Sequence, residues 1–431
     1  MIVRFSDKIK VLFAKNEFKR VGENFAALSL LNGIYMLSPL ILIPYLIRIM
    51  GPELYGVYVF VWTFIYYYVF IINYGFDYTA TKEISINRDN SEKISEIYST
   101  TFFTRLLLVL ISFIILGCFL LFIPQFNIHS KIIFLGTGLI IGQALIPTWI
   151  FQGMEEMKFV TIVNTITRVI PIVLIFLFIK SGTDIGLVLL FQSIGFLSGG
   201  IFSHFFAVRH YKLRIFIPVF EQIKDCLKSG WNMFLSTIGI SLYRESNTII
   251  LGFVTNNYEL VGYYALADKI IRLFQTIINS FGQALFPYFG KELNQNKAAN
   301  INKYKKIGLF FSVFLLLCVI LIFFLIPYIV RLYLGNDFPA IVRDVRIMAS
   351  VVFVGGLNYY LGIVGLVNLN HNRQFTTFVL IAGLVNIVLC LILGKQYADA
   401  GASFSLLIAE TVLLILITFY FNKKEKLLKK H

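Results

Sequence analysis

Residues 231–268 read WNMFLSTIGISLYRESNTIILGFVTNNYELVGYYALAD. Trp231 to Val254 is an apolar run of the length that crosses a bilayer, about 20 residues. It nevertheless carries Arg244 and Glu245 near its middle. After the turn Thr255 to Tyr258 comes Glu259-Leu260-Val261-Gly262-Tyr263-Tyr264, and Asp268 follows. Far upstream, Glu53-Leu54-Tyr55-Gly56-Val57-Tyr58 repeats the Glu, Leu, Gly and final Tyr of that hexapeptide. The offset from 53 to 259 is close to half of the 431 residues, and each copy follows an apolar run that begins near an asparagine, Asn24 or Asn232. Internal repetition of this kind predicts a transporter built from two related halves.

Hydrophobic residues make up 58% of the chain and charged residues 14%, and the mean hydropathy is +0.79. No soluble domain of this length needs so much apolar surface. The runs recur from end to end at membrane-span length. Twelve spans are expected, at roughly 25–47, 54–75, 98–122, 131–152, 160–179 and 185–208, then 230–254, 261–288, 306–328, 339–368, 376–394 and 400–422. The fold class is therefore an all-α polytopic membrane protein with two pseudo-symmetric six-helix lobes, 23–208 and 230–422. An amphipathic basic helix at 1–22, a basic linker at 209–229 and a basic tail at 423–431 complete the expected organisation. Cys118, Cys318 and Cys390 fall inside spans and Cys226 in a basic loop, which argues against a disulfide framework. The five histidines are scattered, so neither a metal site nor a cofactor is expected. No cleavable signal peptide is expected, because the first 20 residues lack an apolar core before a small-residue cleavage site.

Charge sets the expected orientation. Loops on the side of the N-terminus hold 26 lysines and arginines, and the opposite loops hold 5. The positive-inside rule places that basic side, and both termini, in the cytoplasm. The net charge of +15 then reflects loops on an anionic leaflet and requires no nucleic acid. With six spans per half, both halves enter from the same side, as parallel repeats.

An ionisable group inside a span costs several kcal/mol, of order 3 by insertion scales, unless it faces water or a partner. Several spans nonetheless carry polar residues at helical spacing. The clearest stripe is Asp268, Arg272, Gln275, Asn279 and Gln283 in the eighth span. The fifth has Thr161, Asn164, Thr165 and Arg168; the seventh has Asn232, Ser236, Tyr243 and Asn247 around Arg244 and Glu245. The first has Asn32, Tyr35 and Ser38, and the second Trp62, Tyr66, Asn73 and Asp77. Two readings follow. In one, these faces line a hydrated central cavity made cationic by Arg168, Arg244, Lys269 and Arg272, with Asn32, Tyr35, Trp62, Tyr66, Asn73, Gln275 and Asn279 contacting a glycan. In the other they are inter-helix glue, with Arg244 or Glu245 paired to Asp268 or Lys269. Arg105, Arg343 and Arg346 lie nearer span ends, where snorkelling and structural anchoring are expected. A cationic midplane suits phosphate, because guanidinium binds phosphate oxygens bidentately.

Four further stretches resemble a known family. They are Pro147-Thr148-Trp149-Ile150-Phe151-Gln152-Gly153-Met154-Glu155-Glu156-Met157-Lys158, Gly51-Pro52-Glu53-Leu54-Tyr55-Gly56, the run from Asn73 to Ile84, and Val261-Gly262-Tyr263-Tyr264-Ala265-Leu266-Ala267. Together they are similar to the Wzx-type O-antigen or capsule flippases of the polysaccharide transport family, in the multidrug/oligosaccharidyl-lipid/polysaccharide exporter superfamily. The resemblance covers essentially the whole chain, and its Trp-x-Phe-Gln-Gly-x-Glu element is the most specific part. It implies two lobes, alternating access and an undecaprenyl-diphosphate-linked oligosaccharide as substrate, in a bacterial inner membrane. A single chain with two lobes makes a monomer sufficient, and a polysaccharide polymerase or chain-length regulator is the kind of partner implied. An anionic headgroup moving outward gains about 2.3 kcal/mol per charge per 100 mV, so coupling to an H⁺ or Na⁺ gradient is optional. Asp77, Glu245, Asp268 and Glu410 are the expected ion carriers if coupling exists. A drug/cation antiporter of the same superfamily is the alternative, but it would favour an acidic, aromatic cavity. A lipid II-type flippase is another; the absence of arginine between Asn24 and Ile47 weighs against it. A membrane enzyme would need catalytic carboxylates or a His–Asp pair near one face, and none is seen.

Overall fold

The computed structural model describes residues 2–181, 185–295, 297–335 and 338–428. Nearly all of them are helical, and there is no strand among the described residues. The elements are α1 (Ile2–Asn73), α2 (Phe76–Ile86), α3 (Ser91–Phe122), α4 (Pro124–Ile128), α5 (Ser130–Gly136), α6 (Gly138–Leu145) and α7 (Thr148–Gly153). They continue as α8 (Met157–Phe178), α9 (Ile185–His210), α10 (Phe220–Thr255), α11 (Tyr258–Gln295), α12 (Lys297–Leu334), α13 (Pro339–Asn358) and α14 (Asn372–Leu428). α13 runs on as a π-helical stretch, Tyr359–Val367.

α1 breaks at Gly51 (φ 73°, ψ 172°) and α14 at Ala398 (φ 55°, ψ −129°). With each of these counted as two arms, all twelve expected spans fall on helix among the described residues. The fourth arrives in pieces, α5, α6 and α7; α6 stops before α7 because Pro147 lacks the N–H that would continue the ladder and pushes Ile146 into extended backbone. The expected N-terminal helix 1–22 is not a separate element: helix runs from Ile2 without interruption to the break at Gly51. Likewise α10 begins inside the expected linker, at Phe220, and α14 runs into the expected tail. Eight stretches are long and apolar enough to cross a membrane among the described residues, and α10 and α11 are not among them. Those two helices carry Arg244, Glu245, Asp268, Lys269, Arg272, Gln275 and Asn279 of the expected site residues.

The chain forms two compact units. One comprises 1–45 and 65–237, the other 46–64 and 238–431. In the first, α8 and α9 close on one another through small residues: a Cβ on Gly195 would stand 2.3 Å from the Pro171 ring. Lipid is as apolar as leucine, so helices in a membrane associate through such close packing rather than through the hydrophobic effect.

In the second unit the repeated hexapeptides meet. A Cβ on Gly56 would stand 1.7 Å from the Tyr258 carbonyl oxygen and 2.9 Å from the Gly262 nitrogen. One on Gly262 would stand 2.3 Å from the Pro52 oxygen and 3.3 Å from the Gly56 nitrogen. The matched glycines thus form a reciprocal backbone crossing between the second arm of α1 and the start of α11. Phe60 packs edge-on against Phe253 and Tyr258 beside it. This crossing is why 46–64 belongs with the second unit.

Candidate functional site

Among the candidate site residues of the second unit, α10 and α11 bring together Glu245, Asp268 and Arg272. The guanidinium donates to Glu245 Oε1 at 2.7 Å, to Asp268 Oδ2 at 2.6 Å and to the Arg244 carbonyl oxygen at 2.7 Å. Asp268 and Arg272 are one turn apart on α11, so the helix itself presents them to each other. The glue reading therefore describes Arg272: its charge is already met by two carboxylates, and it is not a bare cavity cation. Glu245 and Asp268 both pair with Arg272, a partner the expected Arg244–Asp268 or Glu245–Lys269 pairings did not include. Arg244 lends only its carbonyl to this bridge, and its side chain is exposed. Lys269 is half-buried next to the bridge.

Two further polar clusters lie in the same unit. The Asn247 amide donates to Tyr264 Oη, Asn386 Oδ1, the Ala402 carbonyl and Ser405 Oγ at 3.0–3.4 Å. Asn386 returns a bond to Asn247 Oδ1 at 2.8 Å. Glu410 accepts from Asn358 Nδ2 at 2.6 Å. Gln275 closes on the same place, since a Cβ on Gly355 would stand 3.0 Å from its Nε2 and 3.8 Å from Glu410 Oε2. Asn279 is half-buried one turn further along the stripe, and Gln283 is exposed. Trp62 is half-buried against Tyr58.

The first unit holds the most buried cation described. Arg105 is 0% exposed. It donates to the carbonyl oxygens of Gln143 (3.2 Å) and Ile146 (2.8 Å) and to Asn73 Oδ1 (2.9 Å), and it lies 3.6 Å from Asp77 Oδ1. Its guanidinium stacks over Trp149 at 4.3 Å. Arg105 therefore does not snorkel; it turns inward to two carbonyls at the break before Pro147, that of Ile146 and that of Gln143, which also accepts the Ile146 N–H. Asn73, which also accepts from Gln143 Nε2 at 3.0 Å, and Asp77 are members of this network. Arg168 is half-buried on α8, where Thr161, Asn164, Thr165 and Thr167 bond back onto their own helix. Tyr66 is half-buried against Phe70. Asn32, Tyr35, Ser236 and Tyr243 lie outside the residues whose side chains are described.

Arg343 and Arg346 sit as expected of anchors. Arg346 donates to the Phe323 carbonyl oxygen and lies over the Phe323 ring. Arg343 binds Asp344 and Asp399, two acids that the sequence stripes did not single out. An Arg-Asp pair in an otherwise apolar stretch was the available signal. In the expected linker, burial pushes the Cys226 thiol up to about 11, against hydrogen bonds from Thr104 and Thr101.

The model of a family described as "Polysaccharide biosynthesis protein" matches residues 21–293. A protein of Escherichia coli K12 named "Putative O-antigen transporter" is 29% identical over 409 residues, covering 93% of this chain and 97% of its own. One of the same name from Shigella dysenteriae is 26% identical over 394 residues, covering 91% and 98%. Among solved structures, the lipid II flippase MurJ in an inward closed conformation superposes with a TM-score of 0.73, covering 92% of this chain and 89% of its own at 15% identity. An inward-facing multidrug-resistance MATE transporter of the MOP superfamily gives 0.69, with 91% and 96% covered, also at 15% identity. These two likenesses bear on the fold.

Proposed function

The chain belongs to the polysaccharide biosynthesis protein family, and from that premise we propose that it carries a lipid-linked oligosaccharide of the O-antigen or capsule type across a bacterial inner membrane. It is a transporter and not an enzyme. The substrate in this reading is an undecaprenyl-diphosphate-linked repeat unit, moved from the cytoplasmic to the periplasmic leaflet by alternating access.

One observation carries the reading: Arg244, at the middle of the expected seventh span, is exposed on the shoulder of the Glu245–Arg272–Asp268 bridge. A guanidinium facing hydrocarbon at that depth is costly, by about 3 kcal/mol or more. A water-filled space that admits an anionic diphosphate removes that cost. The bridge fixes the α10–α11 register, and Lys269 adds a second cation beside it. Arg168 supplies the cation of the first unit. Glycan hydroxyls cannot cross hydrocarbon without replacement of their water, which costs a few kcal/mol, roughly 2–7, for each group left unpaired. In this reading Gln275 and Asn279 on the α11 stripe replace it, while the polyprenyl tail stays in lipid. In this reading the chain acts as a monomer and no resident cofactor takes part.

The test is complementation. The gene is deleted in its own host, and wild type, Arg168→Ala or Arg244→Ala is restored at equal membrane level before surface polysaccharide is stained. Export should fail on deletion and return with wild type but with neither variant. Normal export by both variants would remove the cationic cavity from the proposal. Unchanged polysaccharide on deletion, with new sensitivity to cationic dyes, would replace the proposal by drug export.

A further inference from the structure

Asp344 and Asp399 are 0% and 3% exposed at their side chains. They come from α13 and from the second arm of α14, and the sequence separates them widely. One guanidinium serves both: Arg343 lies 3.0 Å from Asp344 Oδ1 and 2.6 Å from Asp399 Oδ2. Both carboxyls converge on the same guanidinium nitrogen, Nη2. Two carboxylates have no donor to offer each other, and Asp344 Oδ2 is buried with no donor facing it.

Charge counting then leaves one buried negative charge unmet. Like charges at this separation do not both stay ionised in a poorly solvated site. Among the described residues, the other groups near the pair do not supply the missing positive charge. On α11, Tyr263 approaches Asp399 electrostatically, but its hydroxyl is given to Glu259. Arg346, on the α13 face, is directed to the Phe323 carbonyl and ring. From α12 the neighbouring wall is Phe323, Pro327 and Val330, all apolar.

Arg343 is half-exposed, at 49%, and lines a cavity of about 590 Å³ bounded by those three residues, Phe338 and Arg346. The pair thus sits behind an arginine that meets open space. Asp399 also follows directly on the strained break at Ala398 (φ 55°, ψ −129°), a conformation that an L side chain resists. Such strain persists only where the surroundings fix it, and here the Arg343–Asp399 bond is one fixing contact.

We propose that Asp344 and Asp399 hold one proton between them and exchange it through this cavity, making the pair the proton-binding site of the transport cycle. The last step rests on the transporter reading above. A proton suits the site better than Na⁺, which takes several oxygen ligands and would stand against the guanidinium that already occupies two of the four carboxylate oxygens.

The experiment is infrared difference spectroscopy of the whole protein in lipid nanodiscs, titrated across pH, with export measured on the same variants in cells. Wild type should show the C=O stretch of a protonated carboxylic acid at neutral pH, lost on alkalinisation. Asp344→Asn and Asp399→Asn should each abolish that band, because the remaining carboxylate pairs with Arg343 and ionises. Arg343→Gln should strengthen the band about twofold, since the second acid then loses its counter-charge; this variant keeps the test decisive if an aspartate variant is poorly folded. The same spectra in NaCl and KCl should coincide. Absence of the band in wild type, its survival in both aspartate variants, or its loss on adding Na⁺ would overturn the site. Export should fall at least tenfold in Asp399→Asn at equal membrane level. Loss of the band with normal export would overturn the coupling and leave the transporter reading intact; unchanged polysaccharide on gene deletion would overturn that reading while the spectra still decided the proton site.

Discussion

Arg105→Ala is the sharpest test of how the first unit is held together. The substitution removes a guanidinium that serves two backbone carbonyls and Asn73, faces Asp77 at 3.6 Å and stacks on Trp149. Removing one partner of a buried ion pair costs about 3–5 kcal/mol in soluble proteins, because the other charge is left behind. Hydrogen bonds between membrane helices are weaker on average, about 0.6 kcal/mol each, because the unfolded chain in lipid also finds partners. Weighing the two, the loss is about 3 kcal/mol, or about a hundredfold in the folded-to-unfolded ratio. The assay is the fraction of monodisperse protein surviving a heat step in detergent, followed by size exclusion of a fluorescent fusion. Arg105→Ala should lose most of its peak at a temperature wild type survives. Asp77→Asn in the same background should recover about half of the deficit, because it removes the orphaned charge but does not restore the donor that Arg105 gave the carbonyls. If Arg105→Ala survives heating like wild type, the buried network is not what braces the break before Pro147. If Asp77→Asn gives no recovery, Asp77 is not the residue left charged.

The α10–α11 bridge predicts an ordering: Arg272→Ala should lower the amount of folded protein in the membrane, Arg244→Ala should not, and adding Glu245→Gln to Arg272→Ala should restore part of it, all read by quantitative immunoblot of membranes. At the hexapeptide crossing, Gly56→Ala and Gly262→Ala should each destabilise by about 1–3 kcal/mol through overpacking, since the obstructing atoms are backbone and cannot swing aside. The double variant should cost less than the sum, because both open the same contact; heat survival in detergent checks both statements. Cys226, with its thiol pushed up to about 11 by burial, should alkylate about a hundredfold more slowly at pH 8 than a thiol of ordinary pKa, and the rate should rise with pH until about 11. Maleimide labelling of native and denatured protein, read by mass spectrometry, measures the ratio.

The spans were legible because apolar runs of membrane length admit few alternatives, and even the break at Pro147 follows from a missing N–H. The hexapeptide match was legible as a repeat; that its two glycines touch each other was not, because spacing says nothing about which faces of two distant helices meet. Polar stripes fared the same way. Asp268 and Arg272 are one helical turn apart, so their pairing was within reach of the sequence, whereas Glu245 joins them only because α10 and α11 lie antiparallel across a short turn. Arg105 shows where reasoning from depth stops: a residue near a span end snorkels unless carbonyls around it take its donors, and here those of Gln143 and Ile146, at the break before Pro147, do. Asp344 and Asp399 mark the same limit more severely. The sequence reading singled out neither, and one guanidinium joins them because the chain turns at Ala398 and returns along α13. The charges most consequential for this molecule are therefore the ones whose partners come from another helix, and an ionisable residue in a span announces that a partner or a cavity exists without naming which.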